Sequence, residues 1–211
     1  MLRLVLPTLV LVGAAATGCF PHLAGPRLAH FESLAPAVGQ RLPPLRVVDL
    51  AGRERELAEL LGERPVVLQL GSATCPVFRY RRHGIERLAR ELGDRVGFVV
   101  LYTREAHAVG SPSPYTGEPW DPWINRLTGV RLRDTATTED RRRRADEARE
   151  RLGLVPLLVV DPQGDPGWSA LGRAPSAVFV IDASGRVAAR QVWVDPQGLR
   201  RALLDLLGAD R

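Results

Sequence analysis

The stretch Val66-Val67-Leu68-Gln69-Leu70-Gly71-Ser72-Ala73-Thr74-Cys75-Pro76 constrains the fold more than any other part of the chain. Its apolar, β-branched start reads as a buried strand, and the glycine and small polar residues read as a tight loop. Pro76 fits the first position of a helix, where its missing N–H costs nothing. Cys75 then stands at a helix N-terminus, where unpaired N–H groups and the helix dipole favour an anion. A thiol there is expected to have a lowered pKa and to be a nucleophile. The competing reading is a small apolar residue packed at the top of a strand.

The rest of the chain supplies a sheet around that strand. Strands are predicted at Leu45 to Leu50, Val66 to Leu70, Val96 to Tyr102, Leu157 to Val160, Ala177 to Asp182 and Val187 to Trp193. Helices are predicted at Glu56 to Gly62, Pro76 to Leu92, Glu139 to Leu152 and Pro196 to Leu207. A loop dense in Pro and Gly covers Val109 to about Trp123, and Ser184-Gly185 turns the last two strands into a hairpin. Strands alternating with helices, then a hairpin and a final helix, imply an α/β protein with a mixed central sheet and helices on both faces.

The first 18 residues have the layout of a secretory signal peptide: one Arg, an apolar run from Leu4 to Val12, then small residues up to Gly18. Cleavage before Cys19, with lipid on its sulfur, makes residues 1–18 a lipoprotein-type signal. Residues 19–40, rich in Pro, Gly and Ala, then form a tether, and 41–211 one folded domain. The protein is thus expected to be exported and held at the cell envelope by a membrane anchor.

Composition narrows the chemistry. All 29 basic residues are arginine, which excludes lysine Schiff bases, pyridoxal phosphate held by lysine, and P-loop phosphate binding. The net charge of +5 raises the question of nucleic acid. The arginines are spread, however, and their one cluster, Arg141 to Arg144, lies in a helix rich in Asp and Glu, so no nucleic-acid partner is expected. Cys75 and His107 are two metal donors without a third, so no metal is expected. His83 reads as a solvated helix residue.

Strand order, the reactive Cys at a strand-to-helix turn and a proline before the hairpin resemble the thioredoxin fold in its peroxiredoxin-like variant. A second thioredoxin-type cysteine is absent, because Phe78 stands there, and Leu68 occupies the peroxiredoxin proline position. The run Gly71-Ser72-Ala73-Thr74-Cys75-Pro76-Val77-Phe78 resembles the Gly-Ser-x-Thr-selenocysteine-Pro-x-Phe run of iodothyronine deiodinases, with Cys in the selenocysteine position. Tyr102-Thr103-Arg104-Glu105-Ala106-His107 is similar to that family's Tyr-x-x-Glu-Ala-His. Glu139-Asp140-Arg141, Val159-Val160-Asp161 and the stretch Ala170 to Ile181 also fit. The family's Asp-Gly-Trp after the His is missing, with Trp120 the substitute, and residues 134–138 hold no His where the family has one.

The resemblance implies a thiol oxidoreductase in which the Cys75 thiolate attacks a halogen on an aromatic ring, His107 handles the proton, and an external thiol reductant regenerates the enzyme, with no bound cofactor. Glu105 either orients His107 or binds a cationic or hydroxyl group. Ser72 and Thr74 are expected to donate hydrogen bonds to the thiolate or to serve the turn. Tyr102 and Phe78 form the pocket wall or core, and Trp120 and Trp123 cover an aromatic substrate or tuck the loop down. Pro175, opposite Cys75, is expected to follow a cis peptide bond. Two rivals stand beside this: a one-cysteine peroxidase, in which peroxide converts Cys75 to a sulfenic acid, and a non-catalytic envelope lipoprotein of the same fold.

Overall fold

A computed structural model describes residues 30–114 and 117–209. The signal segment and Cys19 lie outside these residues. No helix among the described residues is long and apolar enough to cross a membrane.

The elements run β1 (Arg46–Asp49), β2 (Glu54–Glu56), α1 (Leu57–Leu61), β3 (Val66–Gly71), α2 (Pro76–Leu92), β4 (Gly97–Tyr102), α3 (Trp123–Leu127), α4 (Thr138–Leu152), β5 (Leu157–Val160), α5 (Pro166–Ala170), β6 (Val178–Ile181), β7 (Val187–Gln191) and α6 (Pro196–Ala209). The long elements fall where the sequence pattern puts them. Three short ones, β2, α3 and α5, carry no periodicity to read. β2 is Glu-Arg-Glu, and its pairing with β1, which sets Arg46 opposite Glu56, defines it. The helices α3 and α5 are single turns inside proline-bearing loops.

The sheet order is β2-β1-β5-β4-β3-β6-β7. β3 pairs parallel with β4, and β4 parallel with β5, while β6 runs antiparallel to β3. The C-terminal ends of β3, β4 and β5 therefore open at one edge. That edge carries residues 72–75, 103–107 and Asp161, and it is where ligands bind in open α/β sheets.

Alternation along β3 divides the core. Val66, Leu68 and Leu70 face one layer with Phe31, Leu57, Trp168 and Phe179. Val67 faces the other layer, where Ile85 and Leu88 of α2 meet Leu199 and Leu203 of α6. Near the open edge, Phe78 of α2 and Ala145 and Ala148 of α4 pack over Val100 and Tyr102. Helix α4 is defined by its ends. The Thr137 hydroxyl accepts from Asp140 N, Glu139 and Asp140 sit in the first turn, and Gly153 closes the last turn in the left-handed region.

Two expectations need correction. The tether assigned to 19–40 does not extend through its whole span. Residues 30–34 are helical, Phe31 is buried in the core against Phe179, and Arg190 lies over its ring. The packed domain thus starts by residue 31, because one aromatic side chain outweighs the Pro and Ala around it. The peptide bond before Pro175 is trans; no cis bond occurs among the described residues. Pro175 instead takes the second position of a turn closed by Ala177 N donating to the Ala174 carbonyl (3.3 Å), a place that suits a trans proline.

Candidate active site

The loop after β3 is shaped by contacts that need a small residue at its start. A Cβ on Gly71 would run into the Phe78 ring, so the glycine lets the first turn of α2 fold back onto the strand end. Cys75 is the N-cap of α2. Its N–H donates to the Ser72 carbonyl (3.1 Å), and its Sγ accepts from Phe78 N (3.5 Å). The predicted helix start and thiol position are both found.

Glu105 ties this loop to the end of β4. Its Oε2 accepts from Thr74 N (2.9 Å) and Thr74 Oγ1 (2.7 Å). Its Oε1 accepts from Tyr102 Oη (2.6 Å), and the Tyr102 oxygen in turn accepts from Ala73 N (3.0 Å). Arg144 of α4 supplies a counter-charge 3.7 Å from Oε1. The loop is sewn down twice more: Ala106 N donates to Ser72 Oγ (3.2 Å), and His107 N donates to Thr74 Oγ1 (3.1 Å). A buried carboxylate is stable only when it is hydrogen-bonded and paired, and Glu105, 1% exposed, meets both conditions.

This geometry revises several roles. Glu105 faces Thr74 and Tyr102, so it positions the loop and is filled by those donors. The Ser72 and Thr74 hydroxyls are used by Ala106, Glu105 and His107, and the donor at the sulfur is the backbone of Phe78. Tyr102 and Phe78 are both fully buried and act as core. Burial, followed by the Glu105 charge, holds the Tyr102 phenol well above its usual pKa, which keeps it a donor.

The expected lowering of the Cys75 pKa is not found. Burial pushes the thiol up, from 9.0 to about 11. The N–H groups of Phe78 and Val77 and the Arg79 charge pull the other way and lose. The helix-end effect is worth about a kcal/mol, whereas removing a charge from water costs more. Cys75 is only 1% exposed and is a neutral thiol in this closed arrangement.

His107 is 5% exposed. Its ring meets the edge of Trp120 (4.4 Å between centroids, 84°). Burial lowers its pKa from 6.5 to about 4, against the hydrogen bond to the Trp120 backbone and the charge of Asp121. It is therefore a neutral imidazole near pH 7, and its buried Nδ1 has no partner among the described residues. Trp120 packs on the histidine, which fits the reading that it tucks the loop down, while Trp123 is 52% exposed. His83 is exposed, with Glu86 at 3.4 Å.

Three further residues belong to the site. Arg79, one turn beyond Cys75 on α2, donates to Asn125 Oδ1 (2.5 Å) and Thr128 Oγ1 (3.2 Å). Asn125 of α3 donates to the Thr74 carbonyl (2.8 Å). Asp134 accepts from Glu105 N (3.3 Å) and pairs with Arg104 (3.2 Å). The four-residue spacing from Cys75 is the one signal that could have marked Arg79; Asn125 and Asp134 reach the site through tertiary packing. The Glu-Asp-Arg and Val-Val-Asp runs meet beside it. Buried Arg141 donates to the Asp161 carbonyl (2.8 Å) and pairs with Asp165 (2.8 Å), while the Asp161 carboxylate accepts from Gly167 N and Trp168 N.

Comparison with known proteins bears on this site. The profile of the family described as iodothyronine deiodinase matches residues 29–191. Thyroxine 5-deiodinase of Gallus gallus is 30% identical over 159 residues, covering 74% of this chain and 56% of that protein. Type I iodothyronine deiodinase of Xenopus laevis is 39% identical over 72 residues, covering 34% of this chain and 29% of that protein. The chain thus spans about half, or less, of the length of these curated relatives. Among solved structures, the peroxidoxin BcpB of Mycobacterium tuberculosis superposes with TM-score 0.53 at 17% identity, covering 82% of this chain and 97% of that one. A thiol:disulfide interchange protein from Bacteroides sp. gives 0.53 at 14%, covering 79% and 88%. These likenesses show the thioredoxin-like fold.

The buried imidazole predicts a pH effect with a definite sign. Its folded pKa, about 4, lies below the unfolded value of 6.5, so between these values the unfolded chain binds more protons. The His107 contribution is complete above pH 6.5 and is lost as pH falls toward 4, about 3 kcal/mol at most. Asp161, raised by burial to about 6, acts in the opposite sense over an overlapping range, so the wild-type curve alone does not isolate His107. Urea unfolding of wild type and His107→Gln at pH 7 and pH 4.5 is expected to show the smaller acid loss in the variant. Equal losses in both proteins would refute the buried neutral imidazole.

Proposed function

Because this chain belongs to the iodothyronine deiodinase family, we propose that it is a thiol-dependent reductive dehalogenase whose nucleophile is Cys75. The observation that supports this most is the placement of Cys75 as the N-cap of α2, at the open edge of parallel strands, one residue from the Thr74 that donates to Glu105 and accepts from His107 N. In the proposed reaction the Cys75 sulfur attacks the halogen of a halogenated aromatic ring. A sulfur–halogen bond forms, the carbon–halogen bond breaks, and its electron pair stays on carbon. The Cys75 proton passes to neutral His107 and from there to the ring carbon. The ring is reduced and the sulfur is oxidised to a sulfenyl halide. A first external thiol displaces halide and leaves a mixed disulfide. A second thiol releases Cys75 and carries away the disulfide.

The unpartnered Nδ1 of His107 supplies the acceptor, and the relay runs from an opened site, where rehydration relieves the burial that raises the thiol pKa and lowers the imidazole pKa. The buried sulfur requires a local opening before it meets substrate. The tie from Asn125 to the Thr74 carbonyl and the Trp120 contact on His107 are the interactions to be released. Export and lipid attachment at Cys19 complete the proposal, on the strength of the small residues that end in Gly18-Cys19.

Iodide release from an iodinated phenol with excess dithiol tests the chemistry. Cys75→Ser should abolish release, and His107→Ala should lower it ~100-fold or more with Cys75 still open to alkylation. Rapid peroxide consumption with no iodide release would support the peroxidase reading instead, and an inert Cys75 would support a binding role. For location, Cys19→Ser should leave the membrane fraction of a bacterial host or fail to mature. Identical fractionation of both proteins with Met1 intact would contradict the anchor.

A further inference from the structure

A small pocket of about 150 Å³ lies beside the Cys75 loop, between the start of α2 and the outer face of α4. Its walls include Ala73, Leu132, Ala148 and Leu152, and three arginines converge on it: Arg79, Arg144 and Arg151. Glu147 is the one acid in its lining, so the charge at the pocket is positive in excess. Arg144 already leans on Glu105 and donates to the Arg133 carbonyl (3.1 Å). Arg79 has a buried Nε with no partner. The Arg151 side chain has no hydrogen bond or ion pair among the described residues and is exposed at the rim.

The terminal nitrogens of Arg79 are engaged by Asn125 and Thr128, so the donors left at the pocket are the Arg79 Nε and the Arg151 guanidinium, set above apolar walls that suit an anion carried on an apolar body. Arginine presents a planar fork that a carboxylate meets with two hydrogen bonds. The volume sets the size of that body: an apolar cavity of about 150 Å³ takes one benzene ring. We propose that this pocket is a recognition subsite for a single-ring aromatic carboxylate, with the ring on Ala73, Leu132 and Leu152 and the carboxylate on Arg79 and Arg151. The inference rests on the reading of Cys75 as nucleophile for its place in the reaction and names the substrate class as a small aryl acid. Ala73 is two residues before Cys75 and its N–H is held by Tyr102, so a ligand here sits directly against the loop that carries the thiol.

Calorimetric titration of the intact protein with 3-iodobenzoate tests this, with 3-iodobenzyl alcohol as the neutral analogue. The acid should bind wild type and Cys75→Ser equally, and at least tenfold more tightly than the alcohol. Arg151→Gln, a change at an exposed and unpartnered side chain, should weaken the acid at least tenfold and leave the alcohol unaffected. High salt should also weaken the acid, because the rim is exposed. Equal affinity for acid and alcohol, no effect of Arg151→Gln, or no binding to wild type overturns the subsite. Inorganic sulfate or glutathione that binds as tightly and displaces the acid overturns the aromatic assignment. Iodobenzoate binding with no iodide release from iodobenzoate or from iodophenols sinks the dehalogenase reading and leaves the subsite standing. Iodide release from neutral iodophenols without iodobenzoate binding does the reverse.

Discussion

A single buried carboxylate holds the functional edge of this protein together. Glu105 accepts two hydrogen bonds from Thr74 and one from Tyr102, with Arg144 as its counter-charge. Hydrogen bonds to a charged group contribute about 1.5–3 kcal/mol each, and removing one partner leaves the others unsatisfied. The bonds join the exits of two adjacent parallel strands, so the position of Cys75 depends on where β4 places Glu105. The same carboxylate fixes Tyr102, which in turn holds Ala73, and it restrains Arg144 at the pocket beside the loop. Thiol, loop and pocket are therefore connected through one side chain.

At Cys75 two effects compete. The helix start offers N–H groups and a favourable dipole, while burial removes the solvation that a thiolate needs. Burial wins in the closed arrangement, and the thiol rests neutral, with its pKa at about 11. The His107 imidazole rests neutral for the same reason, with its pKa at about 4. Thiol and imidazole are thus both uncharged in the closed arrangement. Opening the loop around Trp120 and Asn125 would admit water, lower the thiol pKa and let the helix end act.

Much of this was legible in the chain. The strand, loop and helix around Cys75 follow from Gly71, Pro76 and the apolar run, and the Glu105-to-His107 motif lies where β4 leaves the sheet. The misreadings have a shared cause. A motif names residues that meet but not which way their groups point: of the two roles open to Ser72 and Thr74, service to the loop is the one seen, and Glu105 turns to the Thr74 and Tyr102 hydroxyls rather than to the His107 ring. Burial of the thiol depends on α3 and α4, which are remote in sequence, and so the direction of its pKa was not available locally. The same holds for Asn125 and for Phe31, whose places in the structure come from packing against distant elements.

The Glu105 carboxylate keeps the Cys75 loop closed. The most direct test is the rate of iodoacetamide alkylation of Cys75 at pH 8 in wild type and Glu105→Gln, with thermal melts in parallel. An amide cannot accept from Thr74 and Tyr102 on both sides at once. The variant should melt lower, and its thiol should alkylate severalfold faster as the loop loosens and the sulfur regains solvent. An unchanged rate in a variant that is still folded would contradict the account.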